Sequence, residues 1–223
     1  MGVAQGLPLT GARVRVRAPA QSPPRTLAKE PVTRMSRPDD PSDEDLLRRY
    51  ARGDGAAARL LLDRRAPPVF RLARRLLRDE AEAEDVTQEA MVRLWQIAPQ
   101  WQPGTAQVST WLYRVAFNLA TDRLRRRRGL ALDSVEEPLS TAPAVVDGMI
   151  AADRVRALDD ALASLPERQR AAVVLRHIEG LANPEIATVM GIGVEAVESL
   201  TARGKRRLAA ILSGQREELG FER

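Results

Sequence analysis

The sequence predicts an all-α protein built as two small helical domains joined by a flexible linker. Three observations carry that prediction. From Ser42 onward the apolar residues recur with a helical period, and no segment reads as a strand. Residues 129–150 break the pattern, with Pro138, Pro143, Asp133, Glu136, Glu137 and Asp147 and not one lysine or arginine. The aromatics are also uneven: Tyr50, Phe70, Trp95, Trp101, Trp111, Tyr113 and Phe117 lie before the linker and only Phe221 lies beyond it, which suggests two different packing units. The predicted organisation is an N-terminal extension over 1–41, a helical domain over 42–128, an acidic linker over 129–150, a second helical domain over 151–213 and a tail over 214–223.

Each element has its own signal. Ser42 with Asp45 resembles a capping box that opens "DEDLLRRYARG". Gly53 and Gly55 punctuate, and "AAARLLLDRRA" is a second helix. Pro67 and Pro68 are expected to start a third, "PPVFRLARRLLRD", in the first turn where proline is tolerated. "EAEAEDVTQEAMVRLWQIA" has an acidic start that suits the helix dipole. "PQWQPGTAQV" reads as a loop, and "STWLYRVAFNLATDRLRRRR" as a long helix capped by Ser109. Beyond the linker come "AADRVRALDDALASL", then "PERQRAAVVLRHIEG", then "PEIATVMG", with Asn183 as its cap and Pro184 as its first residue. "GIG" makes a tight turn into "VEAVESLTARGKRRL", and the tail is expected to fray.

Composition excludes several functions. The chain has 223 residues, a net charge of +5 and a pI near 10.5, which permits a polyanionic partner. With no cysteine there are no disulfides, cysteine zinc sites or cysteine nucleophiles. His177, the only histidine, is expected to be a partly buried imidazole rather than a ligand, so no metal or cofactor is expected. No apolar run approaches the ~18 residues of a membrane span, and Arg13, Arg15 and Arg17 are not followed by a signal-peptide core. The expectation is a soluble cytoplasmic protein without membrane insertion and without a small-molecule substrate. Residues 1–41 hold seven of the fifteen prolines and no periodic pattern, so they are expected to be disordered. A native start at Met35 is one reading of that boundary; an intact mass beginning at Met1 removes it.

Two segments carry functional signals. In the helix from Ser109 to Arg128, Leu112, Tyr113, Val115, Ala116, Phe117, Leu119, Ala120 and Leu124 form a broad apolar arc. The narrow remaining face carries Trp111, Arg114, Asn118, Asp122 and Arg125, and Arg123, Arg126, Arg127 and Arg128 thicken its basic end. Such a face is either solvated surface or a strand-binding surface, where arginines hold phosphates and an aromatic stacks on a base. The second segment reads as helix-turn-helix. Ile186, Ala187, Val189 and Met190 face inward, and Val194, Val197, Thr201, Gly204, Leu208 and Ile211 make one packed stripe. The opposite face carries Glu195, Ser199, Ala202, Arg203 and Arg206, with Glu198 and Lys205 on its flank.

Together these motifs resemble bacterial sigma factors of the extracytoplasmic-function group. "DEAEAEDVTQEAMVRLW" is similar to their polymerase-binding segment, "STWLYRVAFNLATDRLRRRR" to their melting and minus-10 segment, and "LPERQRAAVVLRHIEGLANPEIATVMGIGVEAVESLTARGKRRL" to their minus-35 helix-turn-helix. The resemblance implies core RNA polymerase, promoter DNA and an anti-sigma factor as partners, with the linker threading the polymerase channels. It implies polymerase docking through Asp85, Gln88, Glu89 and Arg93. Minus-10 contacts are implied for Trp111, Arg114, Asn118, Asp122, Arg123, Arg125 and Arg126. Minus-35 contacts are implied for Glu195, Glu198, Ser199, Ala202, Arg203, Lys205 and Arg206. The last helix departs from the usual family pattern. Glu198 stands where a cation is usual and Leu200 where arginine is frequent. Thr201 replaces an apolar residue and Gly204 an alanine, and both are expected to weaken the helix. A competing reading is a sigma-like mimic that binds an anti-sigma factor without reading DNA. A nucleic-acid enzyme is disfavoured, since the chain offers no His-carboxylate cluster, no phosphate-cradling glycine loop and no nucleophile beside a base.

Overall fold

The structure, a computed structural model, describes residues 40–104, 106–133 and 149–214. The predicted disorder of 1–39, most of the linker and the end of the tail lie outside the described residues. Among those described, the chain forms eight α-helices and no strand. The described residues from Pro41 onward form one compact unit.

Helix α1 (Asp43–Ala51) starts as its sequence predicts: the Ser42 hydroxyl accepts from the Asp45 N–H at 3.1 Å. Asp43, on the first turn, pairs with Arg64 at 2.9 Å and with Arg65, which ties α1 to the next helix. Helix α2 (Gly55–Leu77) corrects the sequence reading, because Pro67 and Pro68 lie inside one continuous helix rather than starting a new one. An internal proline loses a backbone bond at a cost of ~3 kcal/mol or more. Here Leu61 and Leu72, eleven residues apart and on nearly the same face, are both fully buried, so core packing on either side of the prolines holds the helix in line. Pro67 itself is exposed, where water can meet the carbonyls freed nearby.

Helix α3 (Glu80–Ile97) is capped by Asp79, whose carboxylate accepts from the Glu82 N–H at 2.9 Å. A short 3-10 turn (Ala98–Gln100) follows, and then helix α4 (Val108–Asp133). Ser109 is not the cap of α4. The helix begins one residue earlier, anchored by buried Val108, and its first bond runs from the Trp111 N–H to the Gln107 carbonyl at 3.0 Å. Helix α4 also continues through Gly129 to Asp133, past the predicted start of the linker. The chain resumes with α5 (Met149–Ala163) and α6 (Glu167–Val173). A five-residue π-helical turn (Val174–Ile178) closes with the Glu179 N–H on the Val174 carbonyl at 3.0 Å. It leaves His177 exposed rather than partly buried.

Helices α7 (Asn183–Met190) and α8 (Val194–Gly214) form the helix-turn-helix, joined at Gly191, whose φ of +63° is the left-handed geometry glycine adopts without strain. Asn183 does not cap α7 but is its first residue; the Glu185 carboxylate reaches back to accept from the Ala182 N–H at 2.8 Å. The packed stripe of α8 begins at Val197, which is fully buried, because Val194 overhangs the helix start and is exposed. Gly204 is not a weakness. It lies buried where α8 crosses α6, and a β-carbon there would sit 2.6 Å from Val173 Cγ2 and 3.2 Å from the Gln169 carbonyl.

The end of α2 is the junction of the structure. A helix leaves its last four carbonyls without intrahelical partners. The Arg78 N–H takes the Arg74 carbonyl at 2.9 Å. Arg170 on α6 donates to the carbonyls of Arg75 and Leu76 at 3.4 and 3.1 Å, and Arg127 on α4 donates to that of Leu77 at 3.2 Å. Arg170 also donates to the carbonyls of Ala163 and Leu165 at 2.8 and 3.2 Å.

Two stability outcomes follow. Gly204→Ala gains helix propensity but overpacks the α6 crossing, and is expected to destabilise by roughly 1–3 kcal/mol in urea unfolding. Arg170→Ala strips charged donors from carbonyls on both sides of the junction and is expected to lower stability by roughly 1.5–3 kcal/mol in the same assay.

Candidate nucleic-acid interface

Three surfaces carry the predicted residues. On α3, Asp85, Gln88 and Arg93 are exposed and Glu89 is half-buried beside them. Glu89 pairs with Arg93 at 2.6 Å, one turn along the same helix. The surface is acidic and polar, and Val92 on the same helix is exposed.

The second surface is the stripe on α4. The apolar arc is buried as the periodicity predicts, with Leu112, Ala116 and Ala120 fully so. Arg114, Asn118, Arg125 and Arg126 are exposed, and Trp111 and Asp122 are half-buried. Trp111 packs edge-on against Trp101, with ring centroids 6.1 Å apart. Asp122 pairs with Arg125 at 2.9 Å. Not every predicted arginine stays on the stripe. Arg123 turns toward α3, donating to the Glu82 carbonyl at 3.3 Å and approaching Asp85 at 3.5 Å and Glu89 at 3.9 Å. Arg127 bonds Asp79 and Glu82, and Arg128 pairs with Glu167. Among the described residues, Arg114 and Arg126 are left without an ion pair, so their charge is available to a polyanion.

The third surface is the outer face of α8. Glu195, Glu198, Ser199, Ala202, Arg203, Lys205 and Arg206 are all exposed, as predicted. Arg203 is braced along its own helix, with Nη2 on the Ser199 hydroxyl at 2.6 Å and Nε on the Ser199 carbonyl at 3.2 Å. Glu198 accepts from the Asn183 side-chain amide at 3.3 Å. Near this face lies His177, exposed but close enough to its neighbours that their desolvation, and then the charges of Lys205 and Arg176, hold its imidazole below its usual value of 6.5.

Sequence reasoning missed the contacts that join the helices before the linker to those after it. The Glu179 side chain is 2% exposed and accepts from the Tyr113 hydroxyl at 2.9 Å and from Arg71 at 3.1 Å. Asp159 takes Arg74 at 2.8 Å and Arg75 at 3.2 Å, and the Thr110 hydroxyl lies 3.3 Å from Glu185. The one local signal that could have marked a helix end here is Gly180, whose φ of +76° follows Glu179 directly; nothing local marks the burial of the carboxylate. Burial, and then the Glu179 charge, push the Tyr113 phenol above its ordinary range.

An all-helical fold that presents an acidic polar face, a basic aromatic stripe and a helix-turn-helix with cations on its outer face defines a class of helical nucleic-acid-binding proteins. The comparison with known families sharpens that class. Residues 61–129 match Sigma-70 region 2 and residues 155–208 match Sigma-70 region 4. Over 173 residues the chain is 35% identical to the ECF RNA polymerase sigma factor SigM of Mycobacterium tuberculosis, covering 77% of this chain and 85% of that one. It is 36% identical over 166 residues to SigE of Mycolicibacterium smegmatis, covering 71% of this chain but only 62% of that relative's length. The chain belongs to the extracytoplasmic-function group of the sigma-70 family. Its fold also matches the solved structure of CnrH in complex with the cytosolic domain of CnrY, with a TM-score of 0.58 and 27% identity over 77% of this chain and 97% of that one. The sigma factor RpoE of Bartonella quintana, solved with the anti-sigma factor NepR, shares the fold with a TM-score of 0.59 over 70% of this chain and 96% of that one.

Tyr113 supplies a pH-dependent outcome. Because its folded pKa is raised above the unfolded value of 10.0, its contribution to stability is complete below pH 10 and is lost as pH rises beyond it. Tyr113→Phe is expected to destabilise by about 1–3 kcal/mol at neutral pH, through the weakened satisfaction of Glu179. Unfolding curves collected from pH 7 to 11 should show a shallower alkaline loss for the variant than for the wild type.

Proposed function

We infer that this chain is an alternative sigma factor that binds core RNA polymerase, recognises and melts promoter DNA, and so directs transcription initiation. The observation that supports this best is the coexistence, in family order, of the polar α3 face, the α4 stripe and the helix-turn-helix outer face. On this reading residues 42–128 and 151–213 are the two functional modules, and the chain acts in the cytoplasm without a catalytic step or cofactor of its own.

The proposed roles follow from chemistry. The α3 face docks on polymerase through Asp85, Gln88, Glu89 and Arg93. On α4, Arg114, Arg125 and Arg126 meet phosphates while Trp111, Asn118 and Asp122 meet exposed bases. Since Arg123 is engaged with α3, its part is to hold the docking face against the stripe. Unstacking bases costs a few kcal/mol each, and docking on polymerase supplies part of that, so the free chain should bind promoter DNA poorly. On α8, Arg203, Lys205 and Arg206 hold phosphates of the minus-35 element. The proteins solved as CnrH and RpoE are each bound to a partner, RpoE's being an anti-sigma factor. By analogy this chain is kept inactive by an anti-sigma factor.

Run-off transcription with core polymerase on genomic fragments tests the assignment. Defined start sites are expected, and no transcription at any salt concentration would favour the sigma-like mimic. In the same holoenzyme, Arg203→Ala is expected to weaken promoter binding by about 1–3 kcal/mol; unchanged affinity would remove Arg203 from the interface.

A further inference from the structure

We propose that Glu198 selects a cytosine in the minus-35 element and that Asn183 is its positioning residue. This rests on the reading of α7 and α8 as the DNA-reading pair. Glu198 is exposed on the flank of α8, and its Oε1 accepts from Asn183 Nδ2 at 3.3 Å. Asn183 is free to make that bond because it does not cap its own helix. Glu185, two residues on, closes the start of α7 through the Ala182 N–H. The two helices of the motif are thus linked by one side-chain amide placed beside the reading face.

The chemistry of the pair decides what it does. Among the described residues Glu198 makes no ion pair, so its charge is not neutralised by a lysine or arginine. A free carboxylate on a flexible stem would swing away from the phosphates. Held by a neutral amide, it stays at the face and still needs hydrogen-bond donors. The donors in the major groove are base amino groups. Adenine places its N7 acceptor beside its amino group, which repels a carboxylate, whereas cytosine offers its N4 amino group with no ring acceptor beside it. A fixed Glu198 therefore favours cytosine. The charge that a cation at this position would have given to phosphate binding is traded for selection of one base pair.

The test uses holoenzyme on a promoter found by run-off transcription, with its upstream element randomised and transcribed templates sequenced. The wild type is expected to enrich cytosine at one position by about five- to a hundredfold. Glu198→Ala should abolish the preference there and nowhere else. Glu198→Gln should shift it toward adenine, whose N6 and N7 a carboxamide can meet together. Asn183→Ala should reduce the same preference several-fold, and should have no further effect on it when Glu198 is already alanine. An unchanged preference in Glu198→Gln, or no cytosine preference in the wild type, overturns the proposal while leaving the function intact. Silence of the wild-type holoenzyme on every template removes the function and the proposal with it.

Discussion

The packing of this protein depends on how the C-terminal end of α2 is satisfied. A buried helix end carries partial negative charge on carbonyls that have no intrahelical partner. Here cationic side chains meet it, Arg170 from α6 and Arg127 from α4, and the backbone of Arg78 closes the last turn. Hydrogen bonds from charged donors are among the stronger ones a protein makes. By bonding backbone in both parts of the chain, Arg170 also fixes the distance between α2 and the α5–α6 turn. Burial, more than its charged neighbour Arg78, lowers the pKa of this guanidinium, so a site that desolvates an arginine must return several hydrogen bonds, and four carbonyls do so.

From that junction the functional faces follow. Helix α4 runs across α2 and α3 with its apolar arc inward, which leaves only one narrow stripe to solvent. Two of the arginines near its end are drawn into structural bonds, Arg123 toward α3 and Arg127 toward the α2–α3 corner. The run of arginines that looks uniform in the sequence thus divides into cations that hold the fold and cations that face outward. A buried Glu179 beside Tyr113 and Arg71 couples the same helix to the segment that precedes the helix-turn-helix.

Most of the fold was legible because helical periodicity and capping are local. Ser42, the acidic start of α3 and the apolar arc of α4 needed nothing beyond their neighbours in sequence. The misreadings arose where distant packing overrode a local signal. Pro67 and Pro68 read as a helix start, but Leu61 and Leu72 share one core face and hold α2 continuous. Ser109 and Asn183 read as caps by residue type, yet buried Val108 starts α4 a residue early and Glu185 closes α7 in place of Asn183. The exposed faces of α3, α4 and α8 were readable as faces. Which residues on them are tied to one another was not, because the ties of Arg123, Glu179 and Glu198 cross between helices.

Gly204 shows how far such a tie can reach. Its missing β-carbon lets α8 press on Gln169 and Val173, so the recognition helix sits at a depth set by the absence of an atom. In evolutionary terms positions 173 and 204 are expected to be coupled: a β-carbon at 204 is better tolerated where residue 173 is smaller, although the Gln169 carbonyl still limits the approach. A lineage that restores alanine at 204 without a smaller residue at 173 would move the reading helix outward by a fraction of an ångström, and its reach into the groove with it.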